Sequence, residues 1–351
     1  MNTIQTYFFT LVALFGFSGT QASGIKSQDS VTVVKIWDKA GHQAFTDLIR
    51  FNKKFYCSFR EGESHVASAS SGKIRILQST DGINWQSAAL LEINGLDLRD
   101  PKLSVTPDKR IMITLAGAVF ENGVPTVLVP MSSFSDKSGK NFSVPVKAIL
   151  DPSIQPVQDW IWRVTWHNGI GYGINYALKE NAKDRTTLKK DAWVAYLMKT
   201  MDGINFDNVS KLDVYDLPNE STIRFDKNGK MYVLIRREAK DRMGVLAESN
   251  APYKDWKYNS LTYRLGGPNF IFLNDSRLLV GTRIYDAGPS TGLHTTDLKG
   301  NVLKTLKLPS GGDTSYPGMV IFKDMLWVSY YSSHEGKTSI YLAKIPLGRL
   351  N

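Results

Sequence analysis

Read as a bare sequence, the chain between residues 219 and 316 carries residue types able to do acid–base and anion chemistry: Asn219-Glu220, Arg236-Arg237, Arg283 and Tyr316. A phenol with a pKa near 10 needs a neighbouring base before it can attack at neutral pH, and a glutamate can supply one. Guanidiniums grip a carboxylate bidentately, in a geometry that lysine cannot match. Other candidates lie further up the chain. They are His42, the run Arg60-Glu61-Gly62-Glu63-Ser64-His65, Arg99 with Asp100, and Trp160, Trp162 and Arg163; Asn269, Tyr285, Asp313 and His334 complete the set. These groups act together only if the fold gathers them.

The elements able to do so are hairpins. Six times a strand-like run meets a polar turn and then a second, more apolar run. The turns are Asn52-Lys53-Lys54, Pro107-Asp108-Lys109, Asn168-Gly169, Asp226-Lys227-Asn228-Gly229, Asn274-Asp275 and Lys323-Asp324, all hairpin chemistry. Equivalent turns recur at roughly 45 to 60 residues, the scale of one four-stranded propeller blade. Most hairpins are followed by two more strand-like runs. The sixth is followed by one, Thr338 to Ile345, and the unassigned β-branched run Val31 to Trp37 can fill the gap. The expected fold is therefore all-β: a six-bladed β-propeller of four-stranded antiparallel blades over residues 31–347, its ring closed by the N-terminal strand joining the last blade. Closure of this kind removes the exposed edges of an open sheet. In that topology the starts of first strands and the ends of second strands share one face, where all the candidates above fall.

Two turns carry a second signature, Ser79-Thr80-Asp81-Gly82-Ile83-Asn84-Trp85 and Thr200-Met201-Asp202-Gly203-Ile204-Asn205-Phe206. They resemble the Asp-box turns of sialidase-type propellers, one residue shorter between Asp and aromatic, with degenerate copies at Ser135 to Phe142 and Ser249 to Trp256. The order Glu220, Arg236/Arg237, Arg283, Tyr316 also resembles that family, in which a Glu polarises a Tyr nucleophile while arginines clamp a carboxylate. The resemblance covers the last three blades. It implies that Tyr316 and Glu220 form the nucleophile pair. Strand alternation sends one of Arg236 and Arg237 inward and the other out. The first blade departs from the family, reading Gly41-His42-Gln43-Ala44-Phe45 where sialidases carry an Arg-Ile-Pro motif. With no matching acid/base Asp, Glu63, His65 and His42 stand as catalytic candidates. Arg60, Arg99, Arg163, Asn269, Tyr285, Asp313 and His334 join Arg236, Arg237 and Arg283 as substrate-binding candidates.

The implied activity is an exo-acting glycoside hydrolase on a terminal anionic or polar sugar. Two alternatives use the same rim. One is elimination at a uronate, with His or Tyr removing a proton and arginine neutralising the acid; the other is a non-catalytic propeller that binds glycan. The formal charge of +10 favours an anionic partner. Nucleic acid is excluded because the basic residues are dispersed rather than clustered with aromatics. The apolar block Tyr7 to Phe17, followed by small residues up to Ala22, reads as a signal peptide over residues 1–22 and implies a periplasmic or secreted protein with no membrane insertion. A single cysteine, Cys57 in an apolar run, reads as core. No closely spaced metal ligands occur, so neither metal nor cofactor is expected, and the chain is expected to be a monomer.

Overall fold

The computed structural model describes residues 30–66, 72–179 and 191–350; the expected signal segment lies outside them. Three of the hairpin turns place successive residues in the left-handed region: Asn52 and Lys53 (φ 45° and 63°), Asn168 and Gly169 (50° and 82°), and Lys323 and Asp324 (50° and 57°). Such turns match the right-handed twist of the strands they join. Each turn therefore folds its two runs into the inner pair of a blade.

The first blade comprises His42–Phe51, Lys54–Gly62, Lys73–Ser79 and Gln86–Leu91, and the second Asp97–Val105, Ile111–Glu121, Val124–Phe134 and Val146–Lys147. Pro218–Phe225, Met231–Arg237, Met243–Ser249 and Lys257–Arg264 make the fourth; Asn269–Asn274, Arg277–Ile284, Ser290–Asp297 and Val302–Lys307 make the fifth. The sixth runs Thr314–Phe322, Met325–Ser332, Ser339–Pro346 and then Thr32–Trp37, which pairs antiparallel with Ser339–Pro346 from Thr32 opposite Lys344 to Trp37 opposite Ile340. The ring thus closes with strands from both ends of the described chain. The third blade varies the plan. Its inner strand is split into Gln158–Ile161 and Thr165–His167, both paired with Ile170–Leu178, while Ile149–Leu150 adds a short parallel strand outside Asn205–Lys211. Among the described residues no helix is long and apolar enough to cross a membrane.

The core is divided by blade. Six apolar clusters sit one at each blade–blade interface: Phe45, Phe55 and Cys57 meet Trp327 and Leu342 between the sixth and first blades, and Tyr172 and Leu197 meet Ile223 and Val233 between the third and fourth. The turns with the second signature also serve these interfaces. Asp81 accepts hydrogen bonds from the backbone N–H of Ile83 (2.8 Å) and Asn84 (2.9 Å) and from the Asn84 amide, and the Ser79 hydroxyl caps Gly82 N–H. Gly82, at φ 71°, lies so close to Trp327 of the sixth blade that a Cβ would stand 2.2 Å from the indole. The turn that ends the first blade's third strand is therefore a packing device. Asp202 repeats the arrangement with Ile204 and Asn205.

Candidate functional site

Three of the six inner strands share an irregularity near their start. The pairing register slips between Ala44 and Asp47, between Arg99 and Lys102, and between Ser315 and Gly318. In each slip one bulky residue takes the left-handed backbone: Phe45 (φ 66°), Asp100 (φ 48°) and Tyr316 (φ 55°). A fourth slip, between Pro218 and Ser221, brackets Asn219 and Glu220. A bulge re-aims a side chain, and strained residues of this kind concentrate where a fold prepares chemistry. Here Phe45, Asp100, Glu220 and Tyr316 all face one cavity of about 600 Å³. The hairpin Ile111–Glu121/Val124–Phe134 supplies an apolar wall from Phe120, Val124, Pro125 and Leu128, and Trp160, Tyr176 and Trp193 continue it as a row packed against Leu128, Trp160 stacked on Tyr176 at 18° between planes and Tyr176 on Trp193 at 25°.

At the centre the Tyr316 hydroxyl donates to Glu220 Oε1 at 2.5 Å. The second oxygen of Glu220 accepts from Arg236 Nη1 at 2.6 Å and from the Gly267 backbone N–H at 3.0 Å. Arg236 Nη1 also lies 3.4 Å from the phenol oxygen, and its other arm pairs with Glu238. The Tyr316 ring is held by Phe45, Trp162 and Tyr331, with centroids 5.0, 5.9 and 5.9 Å away. Gly267 (φ 60°) passes beneath it; a Cβ there would lie 2.4 Å from Tyr316 Cδ2. The buried Lys102 ammonium sits 5.2 Å from the Tyr316 ring centroid and 4.7 Å from that of Trp162.

This environment separates the protonation states. Burial, reinforced by the Glu220 charge, pushes the Tyr316 phenol well above its ordinary value. Burial also acts to raise the Glu220 carboxyl, but Arg236, the Tyr316 hydrogen bond and Lys102 overcome it and hold Glu220 below the ordinary range. The resting proton is therefore on the phenol, with an ionised acceptor already in contact. Two other carboxyls in the cavity move the opposite way. Burial raises Asp100 to about 6 against the pull of Lys102 and Arg99, and raises Asp159 to about 6 against the hydrogen bond from Asn175. Asp100 Oδ1 is buried without a hydrogen-bond partner, whereas Asp159 accepts from Asn175 Nδ2 at 2.6 Å.

The candidates read from the sequence divide accordingly. Tyr316, Glu220, Arg236, Arg283, Arg99 and His65 line the cavity. Arg237 points away, paired with Asp216 (2.9 Å) and Asp241 (2.7 Å), as strand alternation required of one member of the pair. The others are corrected by their partners. Arg60 is fully buried in a bidentate pair with Asp97 (2.7 and 3.1 Å), joining the first blade to the second, and does not reach the cavity. Arg163 pairs with Asp47 at 2.5 Å and, with Asn269, lies toward the other end of the inner strands, where Asn269 bonds Pro317 O and Arg224. Glu63 is exposed and outside the cavity. Tyr285 stacks under the Arg264 guanidinium at 4.1 Å, and His334 bonds the Ser332 hydroxyl and packs on Tyr341; neither lines the cavity.

His42 and Asp313 sit just behind the wall. His42 Nε2 lies 3.0 Å and His65 Nδ1 2.8 Å from the same oxygen, Asp313 Oδ2, while Tyr331 donates to Oδ1 at 2.9 Å. These three residues are the group among the described residues whose ligand atoms, all within 4.8 Å of one another, could hold a metal. Two imidazoles and a carboxylate suit a borderline cation such as zinc. Spacing rules could not reveal the set, because it joins the first and sixth blades. Asp100, Asp159 and Glu238 had no assigned role in the sequence reading. For Asp100 a signal existed, since Arg99-Asp100-Pro101 occupies the same bulge as Ser315-Tyr316-Pro317.

No family model and no curated relative matches the chain. Solved structures do. A protein of unknown function from Dyadobacter fermentans aligns with TM-score 0.74 and 18% identity over 90% of this chain and 98% of that one. Trypanosoma rangeli sialidase in complex with sialic acid gives TM-score 0.69 and 11% identity over 90% of this chain and 59% of that one. An α-L-arabinofuranosidase from Fusarium graminearum in complex with an iminosugar inhibitor gives 0.66 and 12%, over 91% and 98%. At these identities the likeness establishes the shared six-bladed propeller, and the chain spans 59% of the sialidase's length.

Proposed function

We propose that the protein is an exported glycoside hydrolase that removes a terminal sugar through a covalent Tyr316 intermediate. The observation that carries this reading is the 2.5 Å contact from the Tyr316 hydroxyl to Glu220 Oε1 at the wall of an open cavity. As the phenol oxygen bonds to the anomeric carbon, its proton passes to Glu220 and the bond to the glycosidic oxygen breaks. Asp100, protonated in part because burial raises its pKa to about 6, gives its proton to the departing oxygen. In the second half, Asp100 takes a proton from the attacking water, the sugar leaves as the free hemiacetal, and Glu220 returns the proton to Tyr316. Arg236 contacts both Glu220 and the phenol oxygen, so it stabilises negative charge on either side of the transfer. Aromatic and apolar walls give the sugar's C–H faces a surface to pack against.

The test is a panel of aryl glycosides and oligosaccharides with release followed by mass spectrometry, then trapping with a 2-fluoro analogue of the best substrate. The expected result is a sugar adduct on the peptide containing Tyr316 and no adduct in Tyr316→Phe. An unsaturated product absorbing in the ultraviolet would indicate elimination instead, and binding of glycan without turnover would reduce the site to recognition.

A further inference from the structure

From the pairing of charges around the cavity we infer that the sugar it accepts carries no carboxylate; the inference rests on reading the cavity as a sugar site. A carboxylate clamp needs guanidinium edges left open by the protein. Each guanidinium on this wall already has a carboxylate of the protein within 4.0 Å. Arg236 gives one arm to Glu220 and the other to Glu238. Arg99 lies 3.7 Å from Asp97 and donates to the His65 carbonyl at 2.9 Å. Arg283 donates to Thr314 O at 2.7 Å and to the Tyr331 hydroxyl at 3.2 Å, with Asp313 Oδ1 at 3.9 Å.

The sum of charges points the same way. Three guanidiniums line the cavity against four carboxylates, those of Asp100, Asp159, Glu220 and Glu238. With the ammonium of Lys102 behind Tyr316 and the Asp313 carboxylate beside Arg283 added, the total is zero with Asp100 protonated, as the proposed acid must be, and negative once it ionises. An acidic sugar would have to displace built-in carboxylates and lose its hydration without a positive field in return. A neutral sugar needs only the apolar wall, the aromatic row and uncharged polar partners such as Gln158 and Asn219. Asp313 is then a specificity determinant. Held by His42, His65 and Tyr331, its carboxylate stands 3.9 Å from Arg283, where it competes with a carboxylate of the substrate for that guanidinium.

The experiment uses the full chain and matched sugar pairs differing only in a carboxylate, glucoside against glucuronide and galactoside against galacturonide. Binding is followed by tryptophan fluorescence and turnover by aglycone release. The neutral member of each pair should bind at least about tenfold more tightly than its acidic partner, a difference of about 1.4 kcal/mol. Asp313→Asn, and separately Glu238→Gln, should narrow that ratio by freeing Arg283 or Arg236; the second variant keeps the test open should the first fail to fold. Neutral binding without turnover would uphold the charge inference and remove the hydrolase reading. Preferential binding or turnover of an acidic member would overturn the inference and leave hydrolysis standing. Absence of binding by every member would overturn both.

Discussion

The two ends of the central channel are built from the same materials and do different things. At one end Arg236 holds Glu220 at 2.6 Å; at the other Arg163 holds Asp47 at 2.5 Å. Asp47 also accepts from Leu103 N–H, and 1% of its side chain is exposed although it borders a second cavity. No phenol stands beside it. Glu220 instead offers its second oxygen to Tyr316, at the wall of the cavity. An arginine–carboxylate pair becomes chemistry only where a third group carries a transferable proton and a substrate can reach it. Elsewhere the same pair is a fastener.

The comparison is broken most severely by Tyr316→Phe. If the phenol is the nucleophile, turnover on the best substrate of the panel falls by at least about 10³-fold with an unchanged melting temperature; retained turnover would make the two ends equivalent. Next in size is the opposite end. Arg163→Met leaves Asp47 buried and unpaired and should remove about 3–5 kcal/mol of stability in urea unfolding, whereas Arg163→Met combined with Asp47→Leu should recover most of it. A single variant as stable as the native chain would show the pair to be idle.

Gly267→Ala sharpens the contrast in a third way. Its φ of 60° disfavours a Cβ by about 1–2 kcal/mol, and that Cβ would push into the Tyr316 ring. Stability should fall modestly while the rate falls much further, which separate unfolding and kinetic measurements can resolve. The smallest effect concerns pH. Because burial raises Asp100 to about 6 from an unfolded value near 4, the folded protein holds a proton that the unfolded chain has lost between about pH 4 and 6. Stability from this group therefore falls as pH rises through that window. Asp100→Asn should melt higher than the native chain at pH 7, with the gain shrinking toward pH 4. In kinetics the native enzyme should lose activity above about pH 6, while the variant, without the proposed acid and base, should turn over far more slowly at every pH and lack that limb.

The blade plan was open to reading because hairpin turns announce themselves in Asn, Asp, Gly and Lys, and because hairpins repeated at a steady interval leave little choice of architecture. The pairing of Tyr316 with Glu220 was expected from the likeness of their order to the sialidase pattern, and the hydroxyl and carboxylate groups do meet. What strand position could not supply is partnership. Arg60 and Arg236 both end second strands, yet Asp97, a residue of the next blade, captures the first completely. Asp100 stood among the candidates without a role for a related reason. A one-residue register slip decides that it faces the axis; the proline after both Arg99-Asp100 and Ser315-Tyr316 hints at the likeness, and the structure shows that the two segments make the same slip.

The pairing of Thr32–Trp37 with Ser339–Pro346 also imposes an order of events. The early strand is made long before its neighbour, so it has no ladder until Ser339–Pro346 is in place. The last hairpin to emerge then acts as a latch. Until it shuts, the apolar seam that Trp327 makes with Phe55 is not buried, so closure of the ring and burial of that seam are one event.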